Sequence, residues 1–178
     1  MLEKSIGIIY KASFFLPLVS LRILYYSMIY PYLQYCNICW GTTYSTNLYR
    51  ITVLQKRVIR ILDKSKFDAH TSPLFKKYGL LKLDDICFLQ LGQFMFNHKH
   101  NLLPEKFQNM FSKRSQFHTI STRISLNYHI PLCRTYIRQF SVCYQGPKFF
   151  NSLPRELTNI DSFHAFKKKL KLHFFLNY

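Results

Sequence analysis

The sequence predicts a mainly α-helical chain, and three observations support that fold class. Residues 47–64 carry apolar side chains at helical spacing, with cations between them. Residues 84–98 are apolar almost all round a helical wheel, which is typical of a helix in the middle of a bundle. The 178 residues include only five glycines, so proline and short polar clusters provide most of the breaks. We expect a helical bundle over residues 1–111 and a smaller, partly irregular subdomain over residues 112–178.

The first predicted helices lie near the N-terminus. Pro17 can occupy the first turn of a helix that runs to Met28 and kinks or restarts at Pro31, and Gly41 ends the segment. The uncharged stretch "IYPYLQYCNICWG", residues 29–41, crowds Trp, Tyr and a Cys-x-x-Cys together. On its residues alone it is open to interpretation as a metal site, a membrane span or a packed helix. Its Tyr, Gln, Asn and Pro content disfavours the span.

The helix predicted over residues 47–64 has the clearest amphipathic pattern. Its apolar side consists of Leu48, Ile51, Leu54, Val58, Ile61 and Leu62. Its basic side consists of Arg50, Lys56, Arg57, Arg60 and Lys64. A solvated surface helix usually balances its cations with acids, and this one has none before Asp63. Nucleic-acid contact and plain solvation both remain open for this basic side.

Three further helices are predicted in the rest of the bundle. Ser72 and Pro73 begin a short helix that Gly79 ends. The apolar helix of residues 84–98 follows, and residues 104–111 form another short one.

Beyond residue 112 the composition shifts towards Ser, Thr, Arg and His. We expect irregular or short extended pieces there, with room for a short β-hairpin, then a helix over residues 141–150 and a final helix from Ser162. The final helix has a narrow apolar stripe of Phe163, Phe166, Leu170 and Phe174, with lysines over the remainder.

The charge balance favours a polyanionic partner. The chain has 25 Lys and Arg against 8 Asp and Glu, a formal net charge of +17. RNA, DNA and an anionic membrane surface are the candidate partners. Basic residues that can take phosphates outside residues 47–64 are Arg123, Arg134, Arg138, Lys167, Lys168 and Lys171. Aromatic residues interleaved with them, which can stack on unpaired bases, are Tyr128, His129 and Tyr136.

No complete metal or catalytic site is predicted. Cys36 and Cys39 lack a second ligand pair of zinc-site spacing, so we expect buried free thiols. Asp84 and Asp85 lack a distant third acid, and we expect them to stabilise a helix N-terminus. No phosphate-binding glycine loop or nucleophile motif is present, so no catalytic residue and no cofactor are predicted. The odd number of cysteines, without a secretory leader, predicts an intracellular protein of the nucleus or cytoplasm.

Several segments together resemble the reverse transcriptases of non-LTR (LINE-type) retrotransposons, particularly the jockey-like group. They are residues 4–11, Leu16-Pro17, "LRILYYSMIYPYLQYCNICWG", "LQKRVIRIL", "HTSPLFKKYGLLKL", "LGQFMFNHKHNLLPEKF", Thr122-Arg123, "RQFSVCYQGPKFFNSLP" and the Phe-Lys-Lys-Lys-Leu-Lys helix. The resemblance covers essentially the whole chain. Cys39 stands where an aliphatic residue is expected and Phe150 where Trp is usual, and both departures keep an apolar core.

The resemblance implies a thumb and the segment that follows it. In that family the metal-binding aspartates belong to a fingers and palm region that would precede Met1. The resemblance therefore implies template-primer binding without phosphoryl transfer, and a thumb-like bundle over residues 1–111. It also implies that residues 29–41 are a packed helical element. Some relatives of the broader class end in a Cys/His zinc knuckle, but this sequence has no such set, and no metal is carried over.

The predicted function is thus that of a non-catalytic, nucleic-acid-binding fragment of an RNA-directed DNA polymerase. The expected partner is RNA or DNA as template-primer, with the missing fingers and palm portion as a further candidate, and no membrane partner is expected. One alternative is a small membrane-associated basic protein anchored by residues 14–40. Another is a relic reading frame without a selected function.

Overall fold

The computed structural model describes residues 2–116, 127–176 and 178. These residues form twelve α-helices, one 3-10 turn at Arg114–Gln116 and no strand, which confirms the mainly α-helical prediction. The helices are α1 Leu2–Ala12, α2 Leu18–Met28, α3 Tyr30–Gln34, α4 Asn37–Trp40, α5 Ser45–Asp63, α6 Ser72–Tyr78, α7 Leu83–Lys99, α8 Glu105–Gln108, α9 Tyr136–Gln139, α10 Val142–Ser152, α11 Arg155–Thr158 and α12 Phe163–Leu176.

The chain forms two compact units. Unit 1 comprises Met1–Asn37, Thr43–Cys87 and His173–Tyr178, and unit 2 comprises Ile38–Thr42 and Phe88–Leu172. Helices α4, α7 and α12 each contribute residues to both units. The division of the sequence into domains near residue 112 stays a prediction.

The core of unit 1 lies where α1, α2 and α5 pack together. Ile9 on α1, Leu21 and Tyr25 on α2, and Val58 and Ile59 on α5 are all almost completely buried. Leu21 and Tyr25 are four residues apart, as are the buried Gln55 and Ile59 of α5, and this spacing places side chains on the same face of a helix. Burial of such side chains is the main stabilising contribution to the unit.

The buried side of α5 differs from the predicted apolar stripe. Leu48, Val58 and Leu62 are buried as predicted. Gln55 and Ile59 are also buried, although neither belongs to the predicted stripe. The remaining members of the predicted stripe, Ile51, Leu54 and Ile61, are only partly buried. The buried face is rotated because α5 packs against α1, α2 and α6, and the sequence of α5 alone does not reveal where those neighbours lie.

Residues 29–41 fold as two short helices and not as one. Pro31 lies in the first turn of α3, which confirms the predicted restart. Cys36 then adopts a left-handed φ of 48°, which ends the helical run before α4. Ile29, Leu33 and Asn37, spaced by four residues, are buried.

The expectation of buried thiols in this stretch is wrong. Cys36 and Cys39 are both exposed. The buried position after Leu33 is Asn37, whose Nδ2 donates to the Leu33 carbonyl at 2.6 Å, and Cys36 lies at the break between α3 and α4.

Unit 2 is built around aromatic rings. Phe96 on α7 stacks on Phe166 of α12, with ring centroids 4.8 Å apart. At Gly92 a side chain would meet Leu170 Cδ2 at 2.7 Å, so glycine permits this close approach of α7 and α12. The predicted stripe of α12 is buried at Phe166, Leu170 and Phe174, but Phe163 is exposed.

One isolated antiparallel bridge joins Lys113 and Tyr128. The Arg114 N–H donates to the Asn127 carbonyl at 3.0 Å, and the His129 N–H donates to the Ser112 carbonyl at 2.8 Å. Residues 117–126 lie outside the described residues, so the short β-hairpin stays a prediction.

Candidate nucleic-acid interface

Helix α5 presents a face in unit 1 on which four of six positions are basic, the other two being Tyr49 and Val53. With about 100° between successive residues, positions 49, 53, 56, 57, 60 and 64 fall within a sector of roughly 100°. Lys56, Arg57 and Lys64 are exposed on this sector, on the side of α5 opposite Val58. We call this sector the α5 basic face. The structure therefore places these three predicted cations together, as the amphipathic pattern indicated.

Arg50 lies at the margin of the α5 basic face and is partly neutralised. Its Nη2 lies 2.9 Å from Glu3 Oε1 on α1, and the two side chains are 81% and 59% exposed. An ion pair this exposed contributes little to stability, because water and salt screen it. Glu3 reduces the positive charge available at this end of α5.

Arg60 has a structural contact that its position in the amphipathic pattern does not indicate. Its Nε donates to the Ala69 carbonyl at 2.9 Å, and its guanidinium carbon lies 5.9 Å from the centre of the Phe67 ring. Arg60 thus fastens the loop after α5 to the helix and supports an aromatic ring by a cation–π contact. It is only partly exposed, unlike Lys56 and Arg57.

Lys64 ends α5 in an unusual backbone conformation. Its φ of 54° and ψ of 29° are left-handed, a region in which glycine is normally preferred. Gly79 has nearly the same angles at the end of α6, where it fulfils that preference. The left-handed conformation of Lys64 lowers the stability of the fold slightly, because lysine has a Cβ. The lysine does, however, place a cation at the C-terminal end of α5, where the helix dipole favours positive charge.

Acids are scarce around the α5 basic face. The sequence has no Asp or Glu between Glu3 and Asp63. Asp63 Oδ1 accepts a hydrogen bond from Lys77 at 2.7 Å and another from the Tyr78 hydroxyl. These two hydrogen bonds, with that of Lys77 the stronger influence, lower the pKa of Asp63 below its ordinary value. Asp68 is an exposed acid in the loop that follows.

The other predicted cations belong to unit 2. Arg134 precedes α9 and Arg138 lies on it, and both are exposed. On α12, Lys167 and Lys168 are exposed and Lys171 is partly buried. Arg123 lies outside the described residues.

The predicted base-stacking residues are only partly in place. Tyr136 is exposed and His129 is partly exposed. Tyr128 is buried, and its hydroxyl lies 3.0 Å from Nδ1 of the equally buried His98. Because His98 Nε2 must donate to the Gln108 carbonyl at 3.1 Å, Nδ1 accepts from Tyr128. Tyr128 is therefore a core residue, and its predicted role in stacking is wrong.

Two exposed aromatic residues, one within the α5 basic face and one in the loop after it, were not identified from the sequence. Tyr49 is 70% exposed on α5, and Phe67 is 84% exposed in the loop that Arg60 fastens. Their basic neighbours in the sequence were a usable signal: Tyr49 adjoins Arg50, and Phe67 follows Lys64 and Lys66.

The paired acids Asp84 and Asp85 lie in the first turn of α7, as predicted. Asp85 accepts a hydrogen bond from the Tyr178 hydroxyl, which in turn accepts the Lys82 N–H at 2.8 Å. Burial raises the pKa of the Asp85 carboxyl above its ordinary value. Asp84 and Asp85 therefore stabilise the start of α7, and Asp85 also binds the side chain of Tyr178.

Neither a metal site nor a membrane span is found among the described residues. No cluster of three or more His, Cys, Asp and Glu side chains within residues 2–116, 127–176 and 178 could hold an ion. In the same part of the chain, no helix combines the length and the apolar character needed to cross a bilayer.

No protein-family model, curated protein or solved structure matches this chain.

Proposed function

We propose that this chain binds nucleic acid without catalysing a reaction, as the thumb and post-thumb part of a non-LTR retrotransposon reverse transcriptase. The observation that supports the proposal best is the α5 basic face. Lys56, Arg57 and Lys64 are exposed together there, on a helix with no acid of its own before Asp63. A polyanion is the complementary partner for such a surface.

Binding would follow the general physics of phosphate recognition. Each cation that meets a phosphate displaces a condensed counterion, so affinity falls steeply as salt is added. Phosphate contacts carry little sequence information, and RNA, DNA and hybrid duplexes are all expected to bind. Further contacts are expected from Arg134, Arg138 and the α12 lysines Lys167, Lys168 and Lys171, and from Arg123 on the basis of the sequence alone.

Under this proposal, the chain does not itself catalyse phosphoryl transfer. Two-metal catalysis needs acids that converge on the metal ions. Asp85 is engaged by Tyr178, and Asp84 lies beside it in the first turn of α7. A template-primer mixed with this chain and Mg²⁺ or Mn²⁺ is therefore expected to remain unextended. Primer extension by a clean preparation would contradict this part of the proposal.

The test is a salt titration of binding. Fluorescence anisotropy of labelled RNA, DNA and RNA–DNA hybrid, measured at several salt concentrations, should give a linear fall of log affinity with log salt. The slope should be similar for all three ligands. Failure to bind any of them at low salt, by a chain that retains its helical circular dichroism, would overturn the proposed function.

A second candidate function, association with an anionic membrane surface, rests on a separate observation. The turn between α1 and α2 exposes Phe14, Phe15 and Leu16, with Phe15 at 87%, and Val19 is exposed at the start of α2. Lys11 on α1 and Arg22 on α2 flank this patch. Exposed aromatic and aliphatic residues beside cations suit the interface of an anionic bilayer. Flotation with phosphatidylserine vesicles tests it: loss of flotation on Phe14→Ser with Phe15→Ser would support this function, and no flotation by the parent chain would remove it.

A further inference from the structure

We propose that the α5 basic face is built for single-stranded nucleic acid, with Tyr49 and Phe67 stacking on unpaired bases. The inference rests on the proposed function and makes it more specific, because phosphate contacts alone do not distinguish a single strand from a duplex. Stacking makes that distinction, since only an unpaired or splayed base offers its face to a protein ring.

Phe67 has the structural support that a stacking residue needs. Its ring is 84% exposed, although a phenylalanine gains stability only when it is buried. Beneath it lies the Arg60 guanidinium, 5.9 Å from the ring centre. Arg60 is itself fixed by its hydrogen bond to the Ala69 carbonyl at 2.9 Å. One side of the ring is thus held by a positioned cation, and a base can cover the exposed side.

Tyr49 provides a second ring near the other end of the same surface. It is 70% exposed and lies within about 20° of Lys56 on the helical wheel. From Tyr49 to the C-terminal end of α5 is about 20 Å along the helix axis. That length corresponds to about six nucleotides at the 3.4 Å spacing of a stacked strand.

The exposed cations lie between the two rings. Lys56 and Arg57 occupy the middle of the α5 basic face, and Lys64 lies at its end, next to the loop that carries Phe67. A strand that stacks on both rings would pass its phosphates over these cations. This combination of a basic track with aromatic residues is the usual construction of surfaces that bind single strands without sequence preference.

The experiment compares a single strand with a duplex of the same sequence. Two labelled ligands are used: a 12-nucleotide DNA strand, and a longer hairpin whose stem contains the same sequence as a duplex. Each is titrated with the parent chain and with the variant that carries Tyr49→Ala and Phe67→Ala. The matched control is Tyr10→Ala plus Phe15→Ala, because these rings are also exposed in unit 1 but lie on α1 and in the turn after it. We expect the parent to bind the single strand more tightly, and the Tyr49/Phe67 variant to lose about ten-fold or more for the single strand.

The duplex affinity of the Tyr49/Phe67 variant should stay within about two-fold of the parent's, and the control variant should match the parent on both ligands. A single-ring variant guards against a folding artefact: Phe67→Trp should retain single-strand binding, whereas Phe67→Leu should lose it. Equal losses on single strand and duplex, or no loss on either, would overturn the inference while leaving the proposed function standing. Absence of binding to either ligand by the parent would remove both.

Discussion

The side-chain oxygen of Gln55 accepts the backbone N–H of Leu83 at 3.0 Å, so that α5 caps the start of α7 from inside the core of unit 1. The amide nitrogen of the same side chain donates to the Tyr25 hydroxyl at 3.1 Å and to the Leu81 carbonyl at 2.9 Å. Gln55 is 1% exposed, and burial raises the pKa of Tyr25. One buried amide therefore joins α2, α5 and the first turn of α7.

Replacing Gln55 with leucine should destabilise the chain strongly. Leucine keeps the approximate volume but leaves the Leu83 N–H and the Leu81 carbonyl without the partners that Gln55 supplies. Loss of such buried hydrogen bonds costs about 3 kcal/mol in the free energy of unfolding. Urea denaturation of Gln55→Leu measures it, and the exposed Gln116→Leu is the matched control. Equal unfolding free energies for the two variants would show that the buried amide contributes nothing.

Asp63 predicts a pH-dependent stability. Its pKa is lowered in the folded chain by the hydrogen bonds from Lys77 and Tyr78. A carboxylate with a lowered folded pKa contributes stability above its unfolded pKa of about 4, and that contribution is lost as the pH falls through the lower folded value.

Asp63→Asn should therefore lower the free energy of unfolding by about 1 kcal/mol near pH 7. The difference from the parent should shrink as the pH falls below about 4. Thermal unfolding over a pH series measures this, with Asp68→Asn as the control for loss of one exposed acid. A pH-independent difference would assign the effect to packing and not to charge.

The helical architecture was predictable because it depends on local patterns. The position of Pro31, the spacing in residues 47–64 and the acids at the start of α7 each indicate a helix without reference to distant residues. The polar core was not predictable in the same way. Gln55 lies on the apolar side of an amphipathic helix, and only the location of Tyr25 and Leu83 explains its burial.

The residues of the candidate interface were also predictable only where local sequence patterns determine their environment. The cations at positions 56, 57 and 64 were predictable from the amphipathic pattern of α5. Arg60 and Arg50 looked equivalent to them in sequence, but their contacts with Ala69 and Glu3 come from other segments of the chain. Likewise, nothing local distinguishes the buried Tyr128 from an exposed tyrosine, because its burial depends on His98, thirty residues away.

Removing the carboxylate of Glu3 should strengthen nucleic-acid binding. Glu3→Gln releases Arg50 from its ion pair and takes one negative charge from the margin of the α5 basic face. If Arg50 then meets a phosphate, the slope of log affinity against log salt should steepen by about 0.7 to 0.9. Glu105→Gln makes the same charge change at an exposed position in unit 2 and is the control. Identical slopes for the two variants would indicate a general charge effect only.

Neutralising the centre of the α5 basic face should have the opposite effect. Lys56 and Arg57 are the better pair to replace, because both are exposed and neither has, among the described residues, a contact like that of Arg60 with Ala69. An Arg60→Ala change would also release the loop that carries Phe67, so its effect on binding would not report charge alone. Lys56→Ala with Arg57→Ala should leave the fold intact.

For phosphate contacts, each removed cation lowers the slope of log affinity against log salt by about 0.7 to 0.9, so the double variant should lose about 1.5. RNA, DNA and hybrid should all weaken, because phosphates are common to them. Lys106→Ala with Lys113→Ala removes the same charge from exposed positions of unit 2 that are not among the proposed contacts, and it calibrates the general effect. If the Lys56/Arg57 variant keeps the parent's affinity and slope, α5 is merely a solvated helix, and the binding surface must be sought among the cations of unit 2.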